Sequence, residues 1–234
     1  MADTVIVTGA SRGIGAAIAA ELDRRGFAVA GLSRSGECAV GSGYECDVTD
    51  EARVRDLFGE IAGAGPIAGL VNNAGAHLAT PSAELATEAY EGLMRLNATA
   101  VMTASREIYP HLAASGGGKI VNMGSFFDKM GVPDNLAYCA SKAAVAAMTR
   151  CHAVEWAADG ITVINVAPGY IETDFNREFL ARDKVRAWLG QRVPVGRPGT
   201  AEEVATLVGA LFAEDMPYLT GETIYIDGGQ GMNH

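Results

Sequence analysis

Seven short apolar runs punctuate the chain, at 4–7, 28–32, 44–48, 67–71, 119–123, 161–166 and 223–226. Most are rich in β-branched or aliphatic side chains and are bounded by polar or glycine-containing turns, the pattern of strands buried on both faces. At 16–25, 51–62, 87–114, 138–156 and 201–212 the apolar residues instead recur every three to four positions, which predicts helices. Strand and helix alternate throughout, and strands separated by crossover helices build a largely parallel sheet covered on both sides. The expectation is an α/β fold: a doubly wound parallel sheet of about seven strands, a three-layer sandwich, in a single domain over 1–234. The charged, aromatic-dotted segment 174–198 is expected to form a lid over a substrate pocket.

The first run passes through Thr8-Gly9-Ala10-Ser11-Arg12-Gly13-Ile14-Gly15 into the first helix. Glycines in a strand-to-helix turn permit close backbone approach and aim free helix amides at a phosphate. Gly9, Ser11, Arg12, Gly13 and Ile14 are therefore expected to hold a dinucleotide. About twenty positions beyond such a turn stands the residue that selects the coenzyme. Here that place is Ser33-Arg34, with no carboxylate. A serine hydroxyl and the guanidinium groups of Arg34 and Arg12 suit a 2′-phosphate, whereas an acid would grip the 2′-hydroxyl and repel the phosphate. NADP(H) is expected over NAD(H).

Further chemistry gathers at the predicted carboxyl ends of strands, where open parallel sheets bind ligands. Asp47-Val48 closes the third run and Asn72-Asn73-Ala74-Gly75 the fourth. Asn97 lies among Leu93, Met94, Leu96 and Val101, an apolar setting in which a carboxamide needs a partner. Ser125 follows the fifth run, thirteen residues before Tyr138. Tyr138 and Lys142, four apart, share a helix face. A cation so placed is expected to lower the phenol pKa by roughly 1 to 3 units and make it a usable acid or base.

Composition narrows the partners. A net charge of −10 disfavours nucleic-acid backbones and anionic membranes, and the first apolar run is too short for a signal peptide or a span. A cytoplasmic protein is expected. The four cysteines show no metal-ligand spacing, so no metal is expected, and Cys139 and Cys151 on one helix would stand about 18 Å apart, too far for a disulfide.

Taken together, these motifs resemble the short-chain dehydrogenase/reductase family in its compact form, over essentially the whole chain, with its 3-oxoacyl-acyl-carrier-protein reductases as a similar branch. The resemblance implies a Rossmann-type fold and a catalytic tetrad of Asn97, Ser125, Tyr138 and Lys142. It makes Asp47 and Val48 the adenine contact, and Asn73, Ala74 and Gly75 a cofactor-facing motif. Pro168, Gly169, Ile171 and Thr173 resemble the nicotinamide-side loop. The implied activity is NADPH-dependent carbonyl reduction with Tyr138 as proton donor and Asn97 anchoring a relay water. NAD-dependent oxidation of a secondary alcohol or sugar is the alternative, and a non-catalytic NADP(H) sensor the remoter one. Phe126, Phe127, Val132, Tyr170 and His77 are expected to line the substrate pocket. The loop Ser115-Gly116-Gly117-Gly118-Lys119 holds one basic residue, where that branch commonly places several to dock an acidic carrier; 3-oxoacyl thioesters on a carrier or on CoA and small free ketones are all open as substrates. A homo-oligomer, dimer or tetramer, is implied, and Ala143, Ala144, Ala146 and Ala147 would allow close helix packing.

Overall fold

The computed structural model describes residues 2–173 and 176–232. Strands β1 (Thr4–Thr8), β2 (Ala28–Ser33), β3 (Ser42–Glu45), β4 (Ile67–Asn72), β5 (Gly118–Met123) and β6 (Ile161–Pro168) enter one sheet. Two short strands, β7 (Ile171–Glu172) and β8 (Gly199–Thr200), pair apart from it, and β9 (Thr223–Ile226) completes it. The seven strands run parallel in the order β3-β2-β1-β4-β5-β6-β9. Strand order reverses between β1 and β4, and a crevice opens at such a switch point beyond the carboxyl ends.

Helices α1 (Gly13–Arg24), α2 (Glu51–Ala64), α3 (Thr87–Met94), α4 (Ala100–Ala114), α5 (Leu136–Trp156), α6 (Arg177–Leu180), α7 (Asp183–Arg192) and α8 (Ala201–Ala213) complete the chain. The strand period of two divides the central strands between two cores. Val5 and Val7 of β1 join Ile18 and Leu22 of α1 and Val204 and Val208 of α8. Ile6 between them faces Phe58 of α2 and Ile108 and Leu112 of α4. This is the expected three-layer α/β sandwich.

Three local expectations are corrected. First, strand and helix do not alternate throughout: β2 reaches β3 through residues 34–41 with no helix. Eight residues cannot hold a helix and its two turns, and Cys38 and Val40 plug the core there instead. Cys38 presses so close to Gly31 that a Cβ on that glycine would collide with it. Second, β3 ends at Glu45, so Asp47 and Val48 lie in the loop beyond it. Third, the helix predicted over 87–114 is interrupted by a π-helical turn at Arg95–Thr99 that contains Asn97. Such turns recur at functional sites because they re-aim a side chain within a continuous helix.

Candidate active site

A row of buried carboxamides underlies the carboxyl edge. Asn72, Asn122 and Asn165 are register partners on β4, β5 and β6, all essentially inaccessible. Asn72 Nδ2 donates to Asn122 Oδ1 at 2.8 Å and to Ser105 Oγ of α4 at 3.0 Å. Asn122 Nδ2 donates to Thr149 Oγ1 of α5 at 2.9 Å, and Asn165 Nδ2 to Thr223 Oγ1 at 3.1 Å. These bonds fix the two helices to the strand ends, while Asn165 Oδ1 is buried with no partner among the described residues. Sequence reasoning missed Asn122, Asn165, Ser105 and Thr149. The available signal was a polar residue inside each of two otherwise apolar runs.

Just above this row the four residues expected to form a tetrad converge. Asn97 Oδ1 accepts from Ala76 N at 2.9 Å, while its Nδ2 donates to Ala76 O at 2.8 Å and to Ser141 Oγ at 3.2 Å. The fully buried carboxamide is thus committed to the loop after β4 and to α5. Lys142, 6% exposed, donates from Nζ to Met123 O at the end of β5, 2.8 Å away. Its Nζ lies 5.8 Å from the centre of the Tyr138 ring, and a Cβ on Gly75 would touch both Asn97 and Lys142. Ser125 opens a short 3-10 turn at Phe126–Lys129, its Oγ accepting from Phe127 N at 3.3 Å.

Electrostatics here run against one expectation. Burial pushes the Tyr138 phenol above its ordinary pKa, with a hydrogen bond to Ser125 pulling it back. The same desolvation holds the Lys142 ammonium down at about 8. Burial disfavours the charged form of each group, and the ammonium sits on a main-chain carbonyl rather than on the phenol. The phenol is consequently kept protonated, as an acid must be. Lys142 remains mostly cationic at neutral pH.

The glycine loop lies across the switch point from the tetrad. A Cβ on Gly15 would overlap the Gly9 carbonyl and the Asn73 carboxamide, so only glycine fits. Asn73 Nδ2 donates to Thr8 O at 2.9 Å and Gly9 O at 3.2 Å, and Thr8 Oγ1 accepts from Asn73 N and Ala74 N. Gly13 opens α1 at φ +57°, and no side chain caps that helix at Arg12. Its first amides are left to a ligand. Ser11 and Ile14 are half-buried in this loop, and Arg12 is exposed beside it. A Cβ on Gly13 would meet the Thr173 methyl at 3.7 Å, so the loop Pro168-Gly169-Tyr170-Ile171-Glu172-Thr173 closes on the same cradle. These residues fit a dinucleotide.

At the far end, Ser33 Oγ donates to Glu37 O at 2.8 Å, so its hydroxyl serves the short β2–β3 connection. Arg34 is exposed and helps hold the Asp47 carboxyl below the ordinary range, chiefly the work of hydrogen bonds from Thr49. Neither Arg12 nor Arg34 makes an ion pair among the described residues. Val48 is buried.

An aromatic wall leads from Tyr138 to the segment expected to be a lid. Phe127 meets Tyr138 edge-on at 5.9 Å, Tyr170 lies 5.3 Å from Phe126 and 6.3 Å from Phe127, and Trp188 of α7 lies 5.4 Å from Tyr170. Leu180, Leu189 and Val193 form a small core with Tyr170 and Val185, which seats α6 and α7 over the wall. Asp174, where the lid was expected to begin, lies outside the described residues. Val132 is half-buried, its carbonyl accepting from Asn135 N at 3.2 Å. His77 stands edge-on to Tyr138 at 4.9 Å. Among the described residues no helix is long and apolar enough to cross a membrane.

A dinucleotide cradle beside a Ser–Tyr–Lys cluster is the site of an oxidoreductase. Comparison with known proteins agrees: the family described as enoyl-(acyl carrier protein) reductase matches residues 9–231, and the chain belongs to the short-chain dehydrogenase/reductase family. It is 36% identical to the 3-oxoacyl-[acyl-carrier-protein] reductase FabG of Haemophilus influenzae, over 96% of each chain. It is 35% identical to glucose 1-dehydrogenase of Gluconobacter oxydans, over 96% of this chain and 90% of that one. The crystal structure of a gluconate 5-dehydrogenase from Burkholderia cenocepacia, in complex with NADP and tartrate, superposes with a TM-score of 0.91. That pair is 30% identical, over 99% of this chain and 96% of the other.

Proposed function

We propose that this protein reduces a ketone to a secondary alcohol, with NADPH as coenzyme and Tyr138 as proton donor. One observation carries the proposal: Ser125, Tyr138, Lys142 and Asn97 converge at the switch point, and burial there keeps the phenol protonated. NADPH would be held by Gly9, Ser11, Gly13 and Ile14, by Asp47 and Val48, by Asn73, Ala74 and Gly75, and by the loop from Pro168 to Thr173. When bound, it supplies a hydride to the carbonyl carbon. Ser125 and Tyr138 donate hydrogen bonds to the carbonyl oxygen, so the charge that develops there meets two donors. Tyr138 then gives up its proton, the Lys142 charge favours the tyrosinate left behind, and a water relay at Asn97 and Lys142 restores it.

Arg12 and Arg34, exposed and with no ion pair among the described residues, support selection of the 2′-phosphate, and the relative crystallised with NADP is in keeping with it. The aromatic wall supports a ketone with an apolar flank, covered by the lid of residues 176–198. Docking of an acidic carrier gains no support from Lys119, whose Nζ donates to the carbonyls of Leu211, Phe212 and Glu214 at the end of α8. A free ketone or a small thioester is the leading substrate class, with a carrier-borne 3-oxoacyl thioester as the alternative that the FabG relatives favour. Oxidation of a sugar or secondary alcohol is the second reading, favoured by the glucose and gluconate dehydrogenases among the relatives. The protein is proposed to act in the cytoplasm as a homo-oligomer.

The test compares NADPH and NADH oxidation on ketones and 3-oxoacyl thioesters, and NADP+ and NAD+ reduction on sugars, using the protein as it stands and Arg34→Ala. Strong NADPH preference, with Arg34→Ala weakening NADPH binding by roughly tenfold to a hundredfold and leaving NADH untouched, supports the reading. Equal use of both coenzymes with turnover of sugars alone would replace it with the oxidative one.

A further inference from the structure

Two loops meet beside Tyr138, and both are held in place by polar contacts. Residues 73–86 follow β4, and residues 130–135 lead into α5. Asp134 takes a left-handed backbone, φ +63°, which for a residue other than glycine persists only where its surroundings impose it. Its carbonyl accepts from Thr80 N at 2.7 Å. The next residue, Asn135, stands at the N-cap of α5, where an asparagine side chain ordinarily caps the helix. Its carboxamide makes no such bond. It turns instead to His77, whose Nε2 lies 2.6 Å from Asn135 Oδ1.

That contact fixes a proton. Asn135 Nδ2 lies 2.7 Å from Pro133 O, a carbonyl that can only accept, so the amide nitrogen must face Pro133 and the oxygen must face His77. Nε2 of His77 therefore carries hydrogen. Nδ1 makes no hydrogen bond among the described residues. The exposed ring stands edge-on to Tyr138, centroids 4.9 Å apart and planes at 71°. A phenylalanine would provide the same packing without diverting a helix cap. The ring nitrogens are what the tether orders.

We propose that His77 is a specificity-determining residue whose Nδ1 accepts a hydrogen bond from a donor that the substrate carries near its carbonyl. This deepens the carbonyl-reductase reading and rests on it. The substrate class is a ketone with two unlike arms, one apolar and directed to Phe127 and Tyr170, the other bearing a hydroxyl or an amide N–H. Unlike arms held by different loops also present one face of the carbonyl to the hydride.

The test measures kcat/KM for NADPH-dependent reduction of matched ketone pairs, with the full-length protein and with His77→Phe. One pair is an α-hydroxy ketone and its methyl ether, and the other a secondary 3-oxo amide and its N-methylated counterpart. One hydrogen bond predicts a preference of about tenfold for the donor-bearing member of at least one pair; the pair that shows it names the donor. In His77→Phe the ratio falls to about one, and in Asn135→Ala, which releases the tautomer, it falls part of the way. A purely structural role would lower both members together and leave the ratio intact, which overturns the assignment. So would a preference for carboxylated ketones that grows as pH falls and vanishes in His77→Phe, because the ring would then act as a cationic donor. A flat ratio with brisk ketone reduction sinks His77 alone, whereas no reduction of any ketone sinks the reductase reading with it.

Discussion

The behaviour of the site turns on how burial treats two side chains. Tyr138→Phe removes the hydroxyl and little else, so circular dichroism and NADPH binding should persist while turnover falls roughly 10²- to 10⁴-fold, the usual worth of a positioned acid. Near-normal turnover would remove Tyr138 from proton transfer. Lys142 sets the pH limb. Held at about 8 by desolvation, it loses its charge well before the phenol, which burial has raised. Reductive kcat/KM should therefore decline above about pH 8. The stability contribution has the opposite sign. In the unfolded chain this lysine keeps its proton up to its ordinary value of 10.5, so between 8 and 10.5 the unfolded state binds more protons and Lys142's contribution rises with pH. Loss of rate without matching loss of thermal stability across that window is the expected signature; a profile flat to pH 10 would show that the lysine charge is not used.

Elements differ in how far their local chemistry specifies them. Thr200 begins α8 with a capping box: its hydroxyl accepts from Glu203 N at 3.2 Å, and Glu203 accepts from Thr200 N at 2.9 Å and binds Arg197 through both oxygens. Thr200→Ala should cost about 1 kcal/mol and lower Tm by roughly 2–4 °C for a chain of this size, as calorimetry would show; an unchanged Tm would mean Glu203 holds the turn unaided. Periodicity disclosed this helix and the central sheet strands because each buries a face, and the glycine turn because only glycine fits at Gly15. What stayed hidden depends on partners distant in sequence. The helix-free link at 34–41 closes because Cys38 packs on Gly31, and the π turn at Asn97 is stabilised by Ala76 and Ser141. The downward shift expected for Tyr138 took account of the nearby cation but not of the desolvation that outweighs it.

At the scale of the whole molecule, an acidic surface coexists with an apolar seam. Of the four alanines expected to pack a second helix, Ala146 is buried within its own subunit, whereas Ala143 is exposed and Ala147 partly so. With Cys151 and Val154 they repeat every three or four residues, which places them along one side of α5. Val154 is 83% exposed. A second copy packed along this seam would bury small side chains at close range, against the repulsion of two subunits each carrying −10. Salt screens that repulsion within about 8–10 Å at 0.1–0.15 M and leaves apolar burial intact, so association should strengthen with ionic strength. Light scattering at micromolar concentration should give a dimer or tetramer whose dissociation increases at low salt. The double variant Ala147→Arg, Val154→Arg should scatter as a smaller species with an unchanged circular dichroism spectrum. A wild-type monomer at high salt would leave this face of α5 as ordinary surface.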